Sequence, residues 1–469
     1  MTAGQWGGNN IMIDRRRLLG AAAASALVAG GEAFAAPRTA GRPPNFVILL
    51  CDDLGYGDVS VYARGGIRTS AIERMAREGV TLTDYYAPAN LCSPSRAGLL
   101  TGRYPVRTGL GFEVIMQQDD RGLPLSEVTI AKALKPAYAS GLFGKWHLGH
   151  RGESWPPTRH GFDTFYGIPY SHDMMPLAMY EAHAGSDEVV ASAVDYPRLQ
   201  QQFYEQAERF IEAHRDGPFF VELALSAPHL PEHPHPGFDQ TTSAGPYGAV
   251  VQEIDSLVAR LMAKLVELKL ERDTVVVFTS DNGPWFEGSP GWLRERKGGG
   301  GYDGGYRVPC IVWAPGRIPG RRRVSSIVMG IDFLPTFRAM AGLPPLAGVT
   351  LDGRDVTAVL TKGAPSPHEE LILFDNEDPI GVRTQDWKYL ESAYYRGLKL
   401  PMALMGYAQL YDLKADPSEN YSVAATHPEV AAEMKTRLAA AKQAFAPYRH
   451  KDIPPVFKAL RAQLEHLQD

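Results

Sequence analysis

The sequence predicts an α/β fold in which helices flank a mixed, mostly parallel sheet. Three observations support this: a length of 469 residues, long apolar runs, and helical periodicity between those runs. Segments 45–51 and 274–280 are continuous apolar runs, which are typical of strands covered on both faces. Segments 219–225 and 309–314 add two further strands to the predicted sheet.

Helical segments separate these runs. Over 247–268, apolar side chains keep the 3.6-residue period of a helix with one buried face. The positions on that face are Val250, Val251, Ile254, Leu257, Val258, Leu261, Met262 and Leu265. Segment 197–214 is a second predicted helix, and a third begins at Ser70, as its N-cap, and ends at Glu78. Helices between strands cover the sheet, as a doubly wound fold requires.

The pattern changes beyond Asp375, where short alternating strands such as 387–390 and 410–413 appear. An amphipathic helix is expected over 428–444. These changes divide the chain into a leader over 1–35, a catalytic α/β domain over 36–375 and a C-terminal α+β subdomain over 376–469.

The first 35 residues have the pattern of an export signal. Arg15, Arg16 and Arg17 precede an alanine-rich apolar run and an Ala-Phe-Ala cleavage pattern at 33–35. This pattern resembles a twin-arginine leader, so we expect the twin-arginine machinery to export the folded protein to the periplasm or beyond. The uncharged stretch 18–31 is too short to cross a bilayer, and no stable membrane anchor is expected.

Charge and cysteine content exclude several classes of function. The formal net charge is -5, and the basic residues are scattered apart from the leader and 321–323, so no nucleic-acid partner is expected. The three cysteines provide no basis for a disulfide framework. Cys51 and Cys310 lie in apolar runs and are expected to be buried thiols.

Polar side chains follow two of the predicted strands. Asp52 and Asp53 follow the strand at 45–51, and Asp281 and Asn282 follow the strand at 274–280. Ligands bind at the carboxyl ends of strands in open α/β sheets, so these two pairs can converge. A set of oxygen ligands suits Ca²⁺ or Mg²⁺ better than zinc. One such pair alone is more simply a turn or a cap, but two pairs at two strand ends favour a metal site.

The stretch LCSPSRAGLLTGR at 91–103 is the most informative in the chain. Cys92 stands at a predicted helix N-terminus, with Pro94 in the first turn and Arg96 nearby, so positive potential surrounds the sulfur. These features are compatible with a thiolate nucleophile, and the alternative is a buried cysteine that packs as a small apolar side chain.

Three motifs carry a resemblance to a known family. CSPSRAGLLTGR resembles, without a gap, the signature of the type I sulfatases. GKWHLG at 144–149 is similar to their second signature, although Ala137 and Ser140 replace its usual glycine and threonine upstream. GIPYSHD at 167–173 resembles the arylsulfatase A subgroup. The resemblance implies an alkaline-phosphatase-like fold, and LYDLKADPSEN at 410–420 implies a small C-terminal antiparallel sheet with one helix.

The resemblance also implies a cofactor chemistry. In that family a formylglycine-generating enzyme oxidises the signature cysteine to formylglycine, also called 3-oxoalanine, and a hydroxyl of the hydrated aldehyde attacks sulfur. Cys92 is the matching residue here. The family's metal ligands match Asp52, Asp53, Asp281 and Asn282, which would hold one Ca²⁺, or Mg²⁺, together with residue 92.

The implied catalytic residues have distinct roles. Lys145 would bind the substrate and the formylglycine, and His147 would orient the hydrate and later remove the proton whose loss expels sulfate. His229 and Lys297 would bind sulfate, one of them also protonating the leaving alcohol, and Ser171 would touch the nucleophile. Arg96 would stabilise charge on the sulfuryl oxygens. The implied catalytic set is Cys92, Arg96, Lys145, His147, Ser171, His229 and Lys297.

The expected activity is hydrolysis of a sulfate monoester, either an aryl sulfate or a sulfated carbohydrate. A formylglycine-dependent phosphonate monoester or phosphodiester hydrolase is the alternative, whereas a two-zinc phosphatase would need a histidine where Asn282 stands. An inactive relative that only binds sulfated glycans is disfavoured because no expected site residue is missing. His172 either contacts the substrate or caps a turn.

Overall fold

The computed structural model describes residues 42–449, apart from 64–66, 187, 239–241, 396–397, 401, 403 and 405. The predicted leader over 1–35 and its twin-arginine motif lie outside the described residues. All elements below belong to one unit of the chain, Thr39–Asp469. Of the helices in the described part, none is long and apolar enough to cross a membrane.

A ten-stranded mixed sheet forms the centre of the fold. From edge to edge its strands are β11 (Arg322–Val324), β2 (Val80–Leu82), β10 (Cys310–Trp313), β9 (Thr274–Ser280), β1 (Asn45–Asp52), β8 (Phe219–Pro228), β4 (Ala139–Lys145), β5 (Thr164–Ile168), β6 (Met179–His183) and β7 (Val189–Ser192). The five strands from β9 to β5 are parallel, and the sheet is antiparallel at β10 and β6. The predicted mixed, mostly parallel sheet is therefore confirmed.

Strand β1 shows why the sheet has a core on each face. All eight of its residues are buried, and successive side chains point to opposite sides. Phe46, Ile48 and Leu50 join one apolar cluster, and Val47 and Leu49 join the other. Burying each such side chain contributes about 1.5–3 kcal/mol to folding.

Helices cover both faces of this sheet, as the sequence predicts. One face is covered by α2 (Cys92–Thr101), α3 (Ile130–Leu134), α7 (Phe333–Met340) and α8 (Thr357–Lys362), and the other by α1 (Ser70–Glu78), α4 (Leu199–Ala213) and α5 (Gly245–Glu267). The short helix α6 (Asp303–Tyr306) follows the glycine-rich segment. The bounds of α4 and α5 agree with the predicted helices to within two residues at each end.

The start of α1 differs from the sequence prediction. Ser70 is the first helical residue rather than the N-cap, and the N-cap Thr69 makes no side-chain capping bond. The Thr69 hydroxyl lies 2.7 Å from the Ser60 hydroxyl instead. The carboxylate of Asp255 in α5 accepts hydrogen bonds from the first amides of α1, at Ala71 (3.1 Å) and Ile72 (2.8 Å). A tertiary contact therefore replaces the local cap.

The C-terminal region forms a four-stranded antiparallel sheet. Its strands, in order, are β13 (Leu371–Asp375), β14 (Asp378–Arg383), β15 (Trp387–Leu390) and β18 (Gln409–Asp412). The helix α9 (Pro428–Phe445) buries Met434, Leu438 and Phe445 in the same apolar cluster as Leu373 and Tyr389. Two further sheets have two strands each: β3 (Tyr85–Tyr86) pairs with β12 (Val328–Met329), and β16 (Ala393–Tyr395) pairs with β17 (Leu398–Leu400). The expected small sheet with one helix is present, and it begins at Leu371, before the predicted division at 375.

Candidate active site

The two predicted acidic pairs meet at the carboxyl ends of β1 and β9. Cys51 is paired with Ser280 across these parallel strands, so the residues that follow each strand are neighbours. Ligand atoms of Asp52, Asp53, Cys92 and Asp281 all lie within 4.8 Å of one another, and all four residues are buried. The side-chain amide of Asn282 donates to Asp53 Oδ1 at 2.7 Å. The convergence expected from the sequence is present in the structure.

Two site residues have a left-handed backbone, with φ of 64° at Asp53 and 59° at His147. Positive φ is uncommon outside glycine and is often found at functional sites, where surrounding contacts hold it in place. At His147 the backbone amide donates to the carbonyl of Pro169 at 3.1 Å. The amide of Asp53 donates to Asp281 Oδ1 at 3.2 Å, so contacts with other segments hold both residues in this conformation.

Cys92 is the first residue of α2 and only 1% exposed. Its sulfur lies 3.5 Å from Asp52 Oδ1 and 3.8 Å from Asp53 Oδ1. Burial raises the pKa of the Cys92 thiol well above its usual value, and the opposing charges of Lys145 and Lys297 do not reverse this shift. The encoded residue is therefore a protonated thiol among carboxylates, which disfavours the thiolate alternative. Cys51 and Cys310 are buried free thiols, as expected.

Arg96 is directed at the acidic cluster. Its Nε and Nη2 each lie 2.9 Å from Asp281 Oδ2, and Nη2 lies 3.7 Å from Asp52 Oδ1. Its Nη1 donates to the carbonyl of Lys145 at 3.0 Å. The guanidinium thus holds the last residue of β4 beside two candidate metal ligands, an arrangement that the signature motif does not reveal.

Two lysines approach the cluster from different sides. Lys145 Nζ lies 2.5 Å from Asp52 Oδ2, and Lys297 Nζ lies 2.8 and 2.7 Å from the two oxygens of Asp53. Burial opposes ionisation of Asp52, but Lys145, His229 and Arg96 hold its pKa well below the usual range. For Lys297, the lowering caused by burial is outweighed by Asp53, Cys92 and Asp52, and its pKa is well above normal.

Asp281 differs from Asp52 in its protonation behaviour. Burial and the neighbouring charge of Asp52 raise the pKa of Asp281 to about 6, against the opposite effects of Arg96 and Lys145. Together, three carboxylates face three protein cations, Arg96, Lys145 and Lys297, which balance them when all are ionised.

His147 and His229 have different surroundings. His147 Nε2 lies 2.9 Å from the carbonyl of Ile115, an acceptor, so Nε2 carries the proton; Nδ1 is buried and has no partner among the described residues. Burial, with Lys145 and Arg96, lowers the pKa of His147 well below normal. His229 Nε2 lies 3.6 Å from Asp53 Oδ2, and its Nδ1 lies 2.6 Å from the Leu230 carbonyl.

Ser171 and His172 lie just beyond β5. The Ser171 hydroxyl is buried and has no hydrogen-bond partner within the described part of the chain. His172 lies with its ring 5.7 Å from that of His229, and its Nε2 is 2.9 Å from the Pro231 carbonyl. The role of Ser171 at the nucleophile stays a prediction, and His172 is a rim residue bonded to the loop that follows β8.

Sequence reasoning missed a second group of residues around this site. Asn90, two positions before Cys92, donates to the carbonyl of Gly300 at 3.0 Å and accepts from the amide of Gly298 at 3.1 Å. Trp285 and Phe286 are 39% and 73% exposed and follow the SDNG motif after one intervening residue, Pro284. The sequence offered one signal for these residues: Asn90 lies close to the motif that begins at Cys92, and Trp285 and Phe286 lie close to SDNG at 280–283.

Comparison with known proteins identifies the family. Residues 44–343, more than half of the chain, match the family model described as Sulfatase. The chain belongs to the sulfatase family. Residues 290–444 also match the family described as N-sulphoglucosamine sulphohydrolase, C-terminal.

Individual relatives agree with this assignment. The sulfatase is 35% identical to human arylsulfatase A over 452 residues, covering 86% of this chain and 88% of the relative. The crystal structure of PsFucS1 sulfatase from Pseudoalteromonas sp. has a TM-score of 0.80 at 27% identity, covering 88% of this chain and 92% of that one. Ps i-CgsB in complex with k-i-k-neocarrahexaose has a TM-score of 0.73 at 25% identity, with 86% and 93% covered. The chain is a sulfuric ester hydrolase with an alkaline-phosphatase-like fold and an arylsulfatase A-like relationship.

The acidic cluster of this sulfatase fits a metal ion. Its donors are carboxylate oxygens and an amide oxygen, which are the ligands of hard divalent cations. The Oδ1 atom of Asn282 is buried and has no hydrogen-bond partner among the described residues. A buried amide oxygen without a donor is costly, and coordination to a cation would satisfy it.

Proposed function

We propose that this sulfatase hydrolyses sulfate monoesters with a nucleophile made by oxidation of Cys92 to formylglycine and with a bound Ca²⁺, or Mg²⁺. The observation that carries the proposal is the convergence of Cys92, four oxygen-bearing side chains and three protein cations at one sheet edge. When bound, the cation neutralises a sulfate oxygen, and formylglycine supplies the attacking hydroxyl group.

The charge balance supports an anionic substrate. Arg96, Lys145 and Lys297 already balance the three carboxylates of the cluster. A divalent cation therefore leaves a net positive charge in a buried site, which attracts a sulfate ester and stabilises charge on its oxygens. In this proposal the ammonium groups of Lys145 and Lys297, which contact Asp52 and Asp53, also bind sulfuryl oxygens.

Two histidines handle the protons in this proposal. His147 is neutral near pH 7 because its pKa is lowered, and its Nδ1 lone pair is free to accept a proton. His229 and Lys297 approach the same oxygen of Asp53, at 3.6 and 2.7 Å, so both lie on the side from which the leaving alcohol can be protonated. Arg96 holds Asp281 and the end of β4 in place, and Ser171 contributes a buried hydroxyl.

Mass spectrometry tests the proposed nucleophile. A peptide containing residue 92, taken from active protein of the native host, should lack the sulfur atom of the encoded cysteine. The peptide containing Cys310 is the internal control, because this buried thiol lies in β10 and should remain intact. An unmodified thiol at position 92 throughout a fully active sample would overturn the proposal.

We propose a sulfated carbohydrate as the substrate. Trp285 and Phe286 are held by the Lys297 segment: the Pro284 carbonyl accepts from the Lys297 amide at 3.1 Å, and the Trp285 carbonyl accepts from Arg296 at 2.8 Å. Exposed aromatic rings beside a site can stack on the apolar face of a sugar. Glycan-bound Ps i-CgsB, a structural neighbour, is in keeping with this choice.

Glu287 favours the same substrate class. Both of its carboxylate oxygens are buried, and no other residue in the described part of the protein donates a hydrogen bond to them. Burial raises its pKa, against the lowering effect of a hydrogen bond from its own backbone. Glu287 directly follows the exposed pair Trp285 and Phe286 in the chain. A sugar hydroxyl can satisfy such a carboxylate, whereas a simple aryl group has no donor to offer.

The substrate proposal is tested with a matched pair of substrates. Glu287→Gln should lower kcat/KM for a sulfated monosaccharide about tenfold and leave 4-nitrophenyl sulfate within about twofold. Glu153→Gln, at an exposed position, is the control. Equal losses on both substrates would refute a contact with the sugar. A bis-nitrophenyl phosphate tests the phosphodiesterase alternative, and its turnover should be far slower than that of the sulfate ester.

We also propose that the leader exports the folded sulfatase through the twin-arginine pathway to the periplasm or the medium. The three consecutive arginines and the following apolar run support this route. Replacing Arg15, Arg16 and Arg17 by lysine should leave full-length precursor inside the cell, as measured by immunoblots of cell fractions. Unchanged export would contradict the proposal.

A further inference from the structure

We propose that the C-terminal sheet positions Lys297 through a buried ion cluster formed by Lys388, Asp303 and Glu419, here called the Lys388 cluster. This makes Lys388 and Glu419 positioning residues for the active site, although they belong to the C-terminal region. The inference rests on the proposed function of Lys297 as a sulfate-binding residue.

The contacts of Lys388 define the cluster. Lys388 lies in β15 with its side chain fully buried, and its Nζ lies 2.8 Å from Glu419 Oε1. The same ammonium group forms an ion pair with Asp303 and donates to the carbonyl of Gly301 at 3.2 Å. Glu419 Oε2 accepts from the backbone amide of Asp303 at 2.8 Å. The two C-terminal residues thus hold both the side chain and the backbone of segment 301–303.

Four consecutive glycines, 298–301, follow Lys297 and are called the glycine run here. Segment 301–303 begins with the last of these glycines. Gly298 and Gly300 have φ of 71° and 66°, and four consecutive glycines have more backbone freedom than any other sequence of this length. The run therefore takes its position from the contacts at its ends rather than from its own preference. Lys297 lies at one end, and the Lys388 cluster holds the other.

The beginning of the glycine run is hydrogen-bonded to Asn90, two residues before Cys92. The carbonyl of Asn90 accepts from the amide of Gly298 at 3.1 Å, and its side chain donates to the carbonyl of Gly300 at 3.0 Å. Asn90 therefore holds Gly300, and Lys388 holds the next residue, Gly301, so no unbound residue separates the two sets of contacts. A shift of segment 301–303 would move Lys297 relative to Asp53, which its ammonium group contacts at 2.7 Å.

Asp303 is also fixed from the catalytic side. The Tyr86 hydroxyl donates to its Oδ1 at 2.8 Å, and Arg307 Nη1 lies 3.3 Å from its Oδ2. Asp303 therefore joins Lys388 of the C-terminal sheet to Tyr86 and Arg307. Buried ion pairs add little net stability compared with apolar packing, and their best-supported use is to specify one arrangement. Specifying the path of the glycine run is such a use.

The test is a charge-balanced double variant, Lys388→Met with Glu419→Gln. It removes one positive and one negative charge, so no new net charge is buried, and glutamine can still accept from the Asp303 amide. We expect kcat/KM for a sulfate ester to fall about tenfold or more while the circular dichroism spectrum is retained. The matched control is Lys414→Met with Asp386→Asn, an exposed ion pair of the same region at 2.8 Å, which should leave kcat/KM within twofold.

Two further measurements separate positioning from a general structural role. Hydrogen exchange of the peptide over 297–303 should become faster in the double variant, while peptides from β1 and β9 remain protected. In a Lys297→Ala background, the same double substitution should change kcat/KM less than twofold, because an effect that acts through Lys297 disappears with it.

Each outcome has one meaning. Unchanged kcat/KM and unchanged exchange over 297–303 in the folded double variant would overturn the inference, as would an equal loss in the Lys297→Ala background. If the double variant does not fold, Glu419→Gln alone must show the same exchange change over 297–303, or the inference fails. Full activity of Lys297→Ala itself would instead refute the proposed function of Lys297.

Discussion

Two buried clusters in this sulfatase contain equal numbers of acidic and basic side chains and differ in their chemistry. At the active site Asp52, Asp53 and Asp281 face Arg96, Lys145 and Lys297. In the C-terminal contact region Asp84, Asp303 and Glu419 face Arg307, Arg383 and Lys388. Each cluster therefore contains three acidic and three basic side chains.

The difference lies in what is left unpaired. At the active site, Asn282 Oδ1 and His147 Nδ1 are buried without hydrogen-bond partners among the described residues. In the second cluster Asp303 contacts a lysine, an arginine and a tyrosine hydroxyl, and Glu419 Oε1, which lacks a hydrogen bond, forms an ion pair with Lys388 at 2.8 Å. Unsatisfied buried polar atoms indicate a site that awaits a ligand, and a network with cross-linked members indicates one that fixes a shape.

The largest expected effect comes from the residue that only the active-site cluster has. Cys92→Ser should lower kcat about 10⁴-fold or more, because a serine hydroxyl could be sulfated but has no second hydroxyl group whose loss of a proton re-forms an aldehyde and expels sulfate. Cys310→Ala is the matched control and should keep activity. Initial rates on 4-nitrophenyl sulfate measure both, and repeated turnover by Cys92→Ser would show that catalysis does not depend on a modified residue 92.

Metal removal should affect only one of the two clusters. Chelation should reduce activity to background and added Ca²⁺ should restore it, because the amide and carboxylate oxygens lose their cation. The midpoint of thermal unfolding should fall by only about a few degrees, since Arg96, Lys145 and Lys297 still balance the carboxylates. Activity that survives exhaustive dialysis against chelator would contradict the metal assignment.

Breaking the second cluster should instead cost stability. Lys388→Met alone leaves Asp303 and Glu419 buried without their shared cation and should lower the free energy of unfolding by about 3–5 kcal/mol. Lys414→Met breaks only the exposed pair with Asp386, and should cost about 0.5 kcal/mol or less. Urea titrations compare the two; equal losses would show that burial of the ion pair is irrelevant.

Glu222 in β8 is a third case, because its buried carboxyl group belongs to neither cluster. Burial raises its pKa to about 7, against a lowering effect of Arg96. A raised carboxyl pKa means that the folded state binds the proton more tightly, so stability is full below about pH 4.5 and falls as the pH rises to 7.

Glu222→Gln removes this penalty. The variant should be more stable than the wild-type protein by roughly 3 kcal/mol at pH 8 and should lose that advantage near pH 4.5. Urea unfolding at the two pH values measures the difference. A constant difference at both pH values would show that titration of Glu222 is not its cause.

Much of the site could be predicted from local sequence. The apolar runs before Asp52 and Asp281 specify buried parallel strands, and the carboxyl ends of such strands converge wherever they pair. The position of Cys92 at a helix N-terminus followed from Pro94 and the apolar residues behind it, and the structure confirms that α2 begins at Cys92. The contacts of Arg96 with Asp281 and of Asn90 with the glycine run could not be predicted, because each depends on the residues that other strands and loops bring opposite them.

The sequence by itself determined the central strands, the long helices and the candidate residues for the chemistry, because hydrophobic periodicity and turn chemistry act between near neighbours. Only the tertiary structure decided that Asp255 caps α1, that Arg96 faces Asp281, and that Lys388 and Glu419 hold the end of the glycine run. Those contacts join residues far apart in the chain. Their partners are chosen by sheet register and by the need to pair every buried charge, and neither condition is visible within a local stretch of sequence.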